Sequence, residues 1–347
     1  MEALKKSFAI LLALCCALVV TASIGYAKEW KVPAEWKYIK FAGGAASGSW
    51  TPLTAKVCEL INKNVPGVQA SSTLGATYSN LAALNKGQVQ MAMTLSNALA
   101  ECYYLIDPGG LKKVKQTPNI RFLGSMHMGA LHAFVRKDSD IYHFSDLAKR
   151  PVRIICGPMG SSAYFFNNLI LKTYGSSIED LEKRGGTVHK VYNQQGVNMM
   201  KDRKVDMVAN HTGLYASWVM DAATSPGIRF LEFEPEKQKA LMEKLFGSVE
   251  IIIPKDMYPG IEKDYRTFGY YFPIAVHKDM PDELAYRITK VIWENLKEVQ
   301  SIGAFGKDIK WETCFAGNTI PIHPGAERYY KEKGRTIPPL PDMSKFK

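Results

Sequence analysis

A strand–loop–helix–strand–helix–strand pattern occurs twice in this chain. The first copy begins with a strand pattern, KYIKFAG, at residues 37–43 and passes through a loop rich in glycine, alanine and serine into a helical pattern at residues 51–64. Strand patterns at residues 68–74 and 89–95, with a helical pattern at residues 79–85 between them, complete this copy. The βαβαβ order predicts a largely parallel sheet with helices on both faces.

The second copy repeats that order of elements. It has strand patterns at residues 152–157, 187–191 and from Val205, with helical patterns at residues 164–174 and 195–201. Its first strand is also followed by a small-residue loop, GPMGSSA. Two similar α/β units are therefore predicted. The alternative is a chance recurrence of ordinary βα units, because few residues are identical between the copies.

The remaining strand patterns predict how the two units are joined. Strand patterns at residues 250–254 and 270–276 would return the chain to the first unit, where the helical pattern at residues 283–299 would pack. The connections then fall at about residues 132–138 and 265–277, and two crossings of this kind form a hinge.

The N-terminus has the pattern of a secretory signal. Lys5 and Lys6 precede an apolar run at residues 8–20, which is too short to span a bilayer. Gly25 and Ala27 form a small-residue cleavage site, so we expect residues 1–27 to be removed and the protein to be exported. The alternative is an uncleaved anchor.

These boundaries divide the chain into three predicted parts. They are the signal peptide at residues 1–27, a discontinuous first domain at residues 28–132 plus 270–347, and a second domain at residues 133–269.

The charge of the chain bears on two kinds of partner, anionic ligands and nucleic acids. The formal net charge of +11 favours anionic partners in general, although a solvated basic surface explains it equally well. No run of five or more like charges marks a nucleic-acid-binding arm, so no nucleic-acid partner is expected.

The metal-binding residue types show no metal-binding pattern. The seven histidines contain no H-E-x-x-H motif, so neither a metal nor another cofactor is expected. Four cysteines follow the signal, namely Cys58, Cys102, Cys156 and Cys314. They lack a C-x-x-C pair, which predicts neither a zinc site nor a disulfide scaffold and leaves one bridge possible.

The loop after the first strand fails three motifs of nucleotide-binding proteins and hydrolases. Ala45 stands where G-x-G-x-x-G requires its second glycine, and Ser49 stands where the P-loop requires its lysine. Ala46 stands where the elbow motif G-x-S-x-G requires its serine. Neither nucleotide binding nor a catalytic serine at this elbow is predicted.

The same loop retains the features of an anion site. Glycines allow a ligand to approach the backbone closely, and the exposed N–H groups at a helix start favour a carboxylate. The predicted ligand residues of the two loops are Ser47, Gly48, Ser49, Trp50, Gly160, Ser161 and Ser162. The alternative is that each loop is a capped turn without a ligand.

Polar clusters also follow the third strand of each copy. Ser96 and Asn97 follow the first-copy strand, and Asn210, His211 and Thr212 end the second-copy strand. Ligands of open α/β sheets bind at the carboxyl ends of strands, so these residues are further predicted ligand residues.

Several segments resemble the TAXI-type solute-binding proteins of TRAP transporters. GAASGSWTPL, from Gly44, is similar to that family's G-T-A-S-G-T-Y-Y-P-L, and STLGATYSNLAALNKGQVQMAM resembles the segment that follows it. MYPGIEKDYRT resembles the family's Y-P-G segment. IPIHPGAERYYKEKG, at residues 320–334, is similar nearly throughout. The likeness covers about residues 38–334.

The resemblance implies a fold, a function and a ligand class. The implied fold is the type II periplasmic binding-protein fold, with two α/β domains, a two-crossing hinge and a ligand cleft between them. The implied function is capture of a small organic anion, a glutamate-like amino acid or a dicarboxylate, without catalysis or cofactor.

The family's cleft loops also imply particular ligand residues. Ser47, Ser49, Trp50, Thr77 and Ser96 would contact the ligand from the first domain. Ser161 and Ser162 would face them from the second. The chain departs from the family pattern at Ala45, Trp50, Leu95 and Asn97, so the resemblance does not identify the solute.

Together these observations predict a soluble, monomeric periplasmic receptor whose partners are a small carboxylate and, transiently, a TRAP-type permease. Two alternatives stay open. A periplasmic enzyme would need to use isolated candidates such as Cys156 and His211. A sensor-linked binding protein would report the ligand to a signalling partner.

Overall fold

The computed structural model of the protein describes residues 30–106, 115–158 and 160–344. The predicted signal peptide, residues 1–27, lies outside the described residues. Contacts divide the chain into two units, Met1–Ala34 and Glu35–Lys347, and the sheet lies in the second unit. Within the described residues, every helix is too short or too polar to span a membrane.

Ten strands lie within the described residues. The described strands are β1 (Tyr38–Ala42), β2 (Gln69–Thr73), β3 (Met91–Met93), β4 (Ile120–Arg136), β5 (Arg153–Ile155), β6 (Thr187–His189), β7 (Met207–Gly213), β8 (Ile228–Phe230), β9 (Val249–Ile253) and β10 (Tyr265–His277).

The helices lie between these strands and after them. The described α-helices are α1 (Trp50–Asn64), α2 (Thr77–Asn85), α3 (Ser96–Tyr104), α4 (Phe144–Lys149), α5 (Ser162–Thr173), α6 (Ile178–Lys183), α7 (Asn193–Lys201), α8 (Ser217–Thr224), α9 (Pro235–Lys244), α10 (Asp282–Glu294), α11 (Leu296–Gln300) and α12 (Pro324–Glu332). Short 3₁₀ helices cover Ala34–Trp36, Ala304–Asp308 and Trp311–Thr313.

All the described strands belong to one sheet, in the order β2-β1-β3-β10-β4-β7-β5-β6, with β8 beside β4 and β9 beside β10. In the first copy of the repeat, β1 is parallel to β2 and β3. In the second copy, β5 is parallel to β6 and β7. We name these parallel groups, with the helices between their strands, the first and the second lobe.

The long strands β4 and β10 are antiparallel and belong to both lobes. The last residues of β10 pair with β3 in the first lobe, whereas the C-terminal part of β4 pairs with β7 in the second. The chain therefore crosses between the lobes twice. The type II periplasmic binding-protein fold predicted from the sequence is confirmed. The domain boundaries after residues 132 and 269 fall within these strands and stay a prediction.

Several elements of the structure differ from the predicted ones. The connection predicted at about residues 132–138 lies largely within β4, which begins at Ile120 and ends at Arg136. Helix α3 was not predicted, because its residues up to Cys102 are all buried and show no amphipathic period. The helix predicted at residues 283–299 is interrupted at Asn295, whose side-chain amide donates to the Val291 carbonyl oxygen at 2.7 Å.

The HPGAERYY run that carries much of the family resemblance forms the start and body of α12. His323 accepts a hydrogen bond at Nδ1 from the Gly325 N–H at 3.2 Å and so caps the helix. Tyr329 and Tyr330 are buried, and the Tyr330 hydroxyl donates to the Leu123 carbonyl oxygen at 2.9 Å. Through these contacts the HPGAERYY run packs onto the first lobe, which gives it a structural role.

The four cysteines of the described chain are buried free thiols, namely Cys58, Cys102, Cys156 and Cys314. Burial raises the pKa of each thiol, that of Cys58 to about 12. The bridge that the sequence leaves possible is not formed among them.

β4 and β10 pass each other with little space between them near Gly129. A Cβ atom at this position would lie 1.9 Å from Cζ of Phe272. Phe272 in turn packs edge-on against Trp50, with ring centroids 5.3 Å apart. A change at residue 129 would therefore reach the loop that precedes α1.

We expect Gly129→Ala to destabilise the protein by about 1–3 kcal/mol, because the added methyl group displaces the Phe272 ring. Urea unfolding of Gly129→Ala, Phe272→Leu and the double variant measures the effect. The double variant should lose less stability than the sum of the single losses, since the smaller side chain makes room for the methyl group. Strictly additive losses would contradict the clash.

Candidate functional site

A cavity of about 80 Å³ lies where the loops of the two lobes meet. Most of the predicted ligand residues line it, namely Gly48, Ser49, Trp50, Thr77, Ser161, Ser162, Asn210, His211 and Thr212. A buried water needs roughly 10–15 Å³ of such space, so the cavity is several times larger than a single water requires. It suits a small solute.

Five helices begin at this cavity. The residues that precede their first turns are Ser49 (α1), Ala76 (α2), Leu95 (α3), Ser161 (α5) and Tyr192 (α7), and all of them line the cavity. None of the five carries a side-chain cap. First-turn N–H groups lack partners within their own helix, so this arrangement places positive potential in the cavity.

No formal charge lies among the described residues that line the cavity. His211 is buried, and burial lowers the pKa of its imidazole to about 3, so this ring is neutral at pH 7. Neither of its ring nitrogens has a hydrogen-bond partner. Attraction for an anion therefore comes from backbone dipoles and neutral donors.

Ser49 is held from behind by a buried histidine. Its Oγ lies 2.8 Å from Nε2 of His127, whose ring packs against Phe272 and Phe305. Burial lowers the pKa of His127 to about 3, and Nδ1 of the same ring has no partner.

The unpartnered nitrogen of His127 decides the direction of this hydrogen bond. Leaving a lone pair unpaired at Nδ1 costs less than burying an unpaired N–H there. We therefore assign the proton to Nε2, which donates to Ser49 Oγ. The Ser49 hydroxyl hydrogen is then free to donate to a ligand.

The second-lobe loop turns through two glycines with positive φ, Gly157 at 66° and Gly160 at 83°. This conformation suits glycine because it has no Cβ. Ser161 follows Gly160, directly before α5, and lines the cavity. Its buried Oγ has no hydrogen-bond partner. Ser161 therefore offers a second free hydroxyl donor.

Asn80 holds three of the first-lobe segments in position. Its Nδ2 donates to the Gly43 carbonyl oxygen at 2.7 Å and the Met93 carbonyl oxygen at 2.9 Å. Its Oδ1 accepts from the Ala76 N–H at 3.1 Å. The ends of β1 and β3 are thereby tied to the start of α2.

Four predicted ligand residues do not line the cavity, and their role in binding stays a prediction. Ser47 lies in the loop before α1, and Gly160 instead accepts hydrogen bonds at its carbonyl oxygen from the N–H groups of Tyr78 (2.9 Å) and Ser79 (3.4 Å) across the lobes. Ser96 and Asn97 are buried in the first turn of α3, because Leu95 takes the position beside the cavity.

Sequence reasoning missed several residues of the cavity. The first lobe contributes Gly44, Ala45, Gly75, Ala76, Leu95 and Phe272, and the second Gly157, Pro158, Tyr192 and Asn193. The repeat itself contained a signal for Asn193, which begins the helix after β6 as Thr77 begins the helix after β2. Phe272 has no such counterpart in the repeat.

Comparison with known proteins agrees with this architecture. The model of the NMT1-like family matches residues 41–334. A solved structure from Bordetella bronchiseptica RB50 is similar over 89% of this chain and 86% of its own, with 15% identity and a TM-score of 0.51. It shares the fold.

Two further solved structures are similar at lower scores. XAC2383 from Xanthomonas citri, bound to chloride ion, has 14% identity and a TM-score of 0.47, covering 85% of this chain and 95% of its own. The alkanesulfonate-binding protein SsuA from Xanthomonas axonopodis pv. citri, bound to MOPS, has 13% identity and a TM-score of 0.45, covering 86% and 85%.

The buried His127 predicts that stability falls in weak acid. An unfolded histidine binds its proton near pH 6.5, whereas this folded one binds it only near pH 3. Between these values the unfolded state holds more protons, so the free energy of unfolding decreases as pH falls. For one such group the loss between pH 7.5 and 5.5 is about 1.4 kcal/mol.

Urea unfolding at pH 7.5 and 5.5, for the wild type and His127→Gln, measures this loss. The variant should lose about 1.4 kcal/mol less than the wild type between the two pH values. An equal loss in both proteins would contradict a neutral, buried His127.

Proposed function

This chain belongs to the NMT1-like family, and we propose that it is an exported periplasmic receptor that captures a small carboxylate between its lobes. The proposed ligand class is a glutamate-like amino acid or a dicarboxylate, and the proposed recipient is a TRAP-type permease. The receptor acts as a monomer, without cofactor or nucleic-acid partner.

The convergence on one uncharged cavity of five helix N-termini that lack side-chain caps carries this proposal. A carboxylate there accepts hydrogen bonds from backbone N–H groups and from the free hydroxyls of Ser49 and Ser161. The same helix dipoles would repel a cation. An anion is therefore the ligand that this arrangement favours.

Contacts between the lobes suggest how binding drives closure. The loops of both lobes line the cavity, and the Gly160 carbonyl oxygen accepts from the Tyr78 N–H across them. A ligand that contacts both lobes binds the closed state more tightly than the open one. It shifts the population toward closure by that difference in affinity.

Delivery to a TRAP-type permease rests on the family resemblance of the sequence. The likeness of the Gly44 loop and of residues 320–334 to TAXI-type receptors supports it. A sensor-linked binding protein would have the same cavity. Ligand uptake by proteoliposomes that contain a co-encoded permease distinguishes the two, since only a transport receptor stimulates uptake.

An enzyme is the second candidate, because Ser49 and His127 form a serine–histidine pair at 2.8 Å. A general base works best with a pKa near the operating pH, whereas burial lowers the pKa of His127 to about 3. Cys156 is buried with a raised thiol pKa, and burial lowers the pKa of His211 to about 3. These properties favour binding over catalysis.

A thermal-shift screen of residues 28–347 against amino acids, 2-oxo acids, dicarboxylates, and fatty and aromatic acids tests the ligand class. Binding to the native state alone stabilises it by about 2.7 kcal/mol at 100 times the Kd, a readily measured shift. At least one carboxylate should stabilise the protein and be recovered unchanged. No shift with any acid, in folded and ligand-free protein, would contradict the proposal.

The charge of the ligand is tested at Ser161. We expect Ser161→Asp to weaken carboxylate binding at least about 100-fold, because two unit charges 4 Å apart repel by about 4 kcal/mol at an effective dielectric constant of 20. Ser161→Asn is the matched control, since both residues cap helices well and only one is charged. It should lose less than about tenfold.

Isothermal titration of both variants with the acid that stabilises the wild type most provides the comparison. If Ser161→Asp retained its affinity within a few-fold, the ligand would not be an anion at this loop.

A further inference from the structure

The cavity contains many hydrogen-bond donors and no anionic acceptor among its described lining residues. Donors come from the hydroxyls of Ser49 and Ser161 and from the helix N-termini, although that of α2 already donates to the Gly160 carbonyl oxygen. His211 adds a buried ring, 8% exposed, whose nitrogens have no partner. In its neutral form this ring offers one lone pair and one N–H.

Each of the two side-chain amide oxygens at the cavity already accepts one hydrogen bond. Asn210 accepts at Oδ1 from the His211 N–H at 2.8 Å, and its Nδ2 donates to Asn193 Oδ1 at 3.0 Å. No aspartate or glutamate lies among the cavity-lining residues that the structure describes. The buried carboxylate of Glu101 accepts from Tyr78 and Asn97 within the first lobe, away from the cavity lining.

An α-ammonium group would therefore find no carboxylate beside it. It would lose its water, face the positive ends of helix dipoles and find only neutral acceptors among the described side chains that line the cavity. A buried charge without a paired group is strongly destabilising. An acid with a 2-oxo group or an unsubstituted α-carbon carries no ammonium group, so its binding does not bury an unpaired positive charge.

We propose that the cavity selects carboxylates that lack an α-amino group, such as short 2-oxo acids and dicarboxylates, and rejects the matching amino acids. This inference rests on the proposed function and narrows its ligand class. The cavity volume of about 80 Å³ limits these ligands to small acids.

Matched ligand pairs test the selection directly. The pairs are pyruvate with alanine, succinate with aspartate, and 2-oxoglutarate with glutamate, titrated calorimetrically into ligand-free protein at pH 7.5. Members of a pair share their carboxylates and differ in the ammonium group. In each pair that binds, the acid should bind at least about 100-fold more tightly than the amino acid.

Each outcome distinguishes this inference from the proposed function. A preference of less than tenfold for the acid, or a preference for the amino acid, overturns the inference and leaves the carboxylate receptor standing. Absence of binding by every member of every pair overturns both.

A variant of Asn193 tests the cause of the selection. Asn193→Asp adds a carboxylate at the cavity, keeps an oxygen to accept from Asn210 and suits the first turn of α7. We expect it to reduce the preference for the acid over the amino acid at least about tenfold.

Gln195→Glu is the matched control. It makes the same change of charge two residues further along α7, at an exposed position outside the cavity lining. It should leave the preference unchanged within about twofold. If the Asn193→Asp variant folds and keeps the wild-type preference for the acid, the absence of an acidic side chain from the cavity is not the cause of that preference.

Discussion

Each helix that reaches the cavity begins directly after a strand of a parallel group, so the N-termini of five helices are directed at one small volume. β1, β2, β3, β5 and β6 precede these helices. Carboxyl ends of parallel strands meet at the same edge of a sheet, which makes this convergence a consequence of topology. The site gains positive potential without any charged side chain in its described lining, and its selectivity then depends on donors and acceptors.

The scaffold also fixes the side chains that complete the site. Gly129 allows Phe272 to lie between the long strands and α1, and this ring supports both Trp50 and His127. His127 in turn orients the Ser49 hydroxyl. Trp50 therefore both packs against the core and forms a wall of the cavity. A packing change at the crossing strands would alter the direction of a hydrogen bond to the ligand.

The sequence predicted the fold class and about half of the cavity lining because the information was local. The small-residue loops and the strand-to-helix order are visible in short segments, and they gave Ser49, Ser161 and their neighbours. Leu95 and Phe272 were missed because apolar residues are more often core than ligand contacts. The Ser49–His127 pair joins residues 78 positions apart, and no local pattern announces such a contact. The hydrogen bond that Asn193 Oδ1 accepts from Asn210 likewise cannot be recognised in the sequence.

We propose that neutral donors at helix N-termini hold a carboxylate in this cavity. Isothermal titration of the protein with pyruvate, succinate and 2-oxoglutarate, and separately with their primary amides, tests this proposal, because replacing each carboxylate by an amide keeps the size of the ligand and removes its charge. We expect the acids to bind and their amides to bind at least about tenfold more weakly. Equal affinity for an acid and its amide would contradict it.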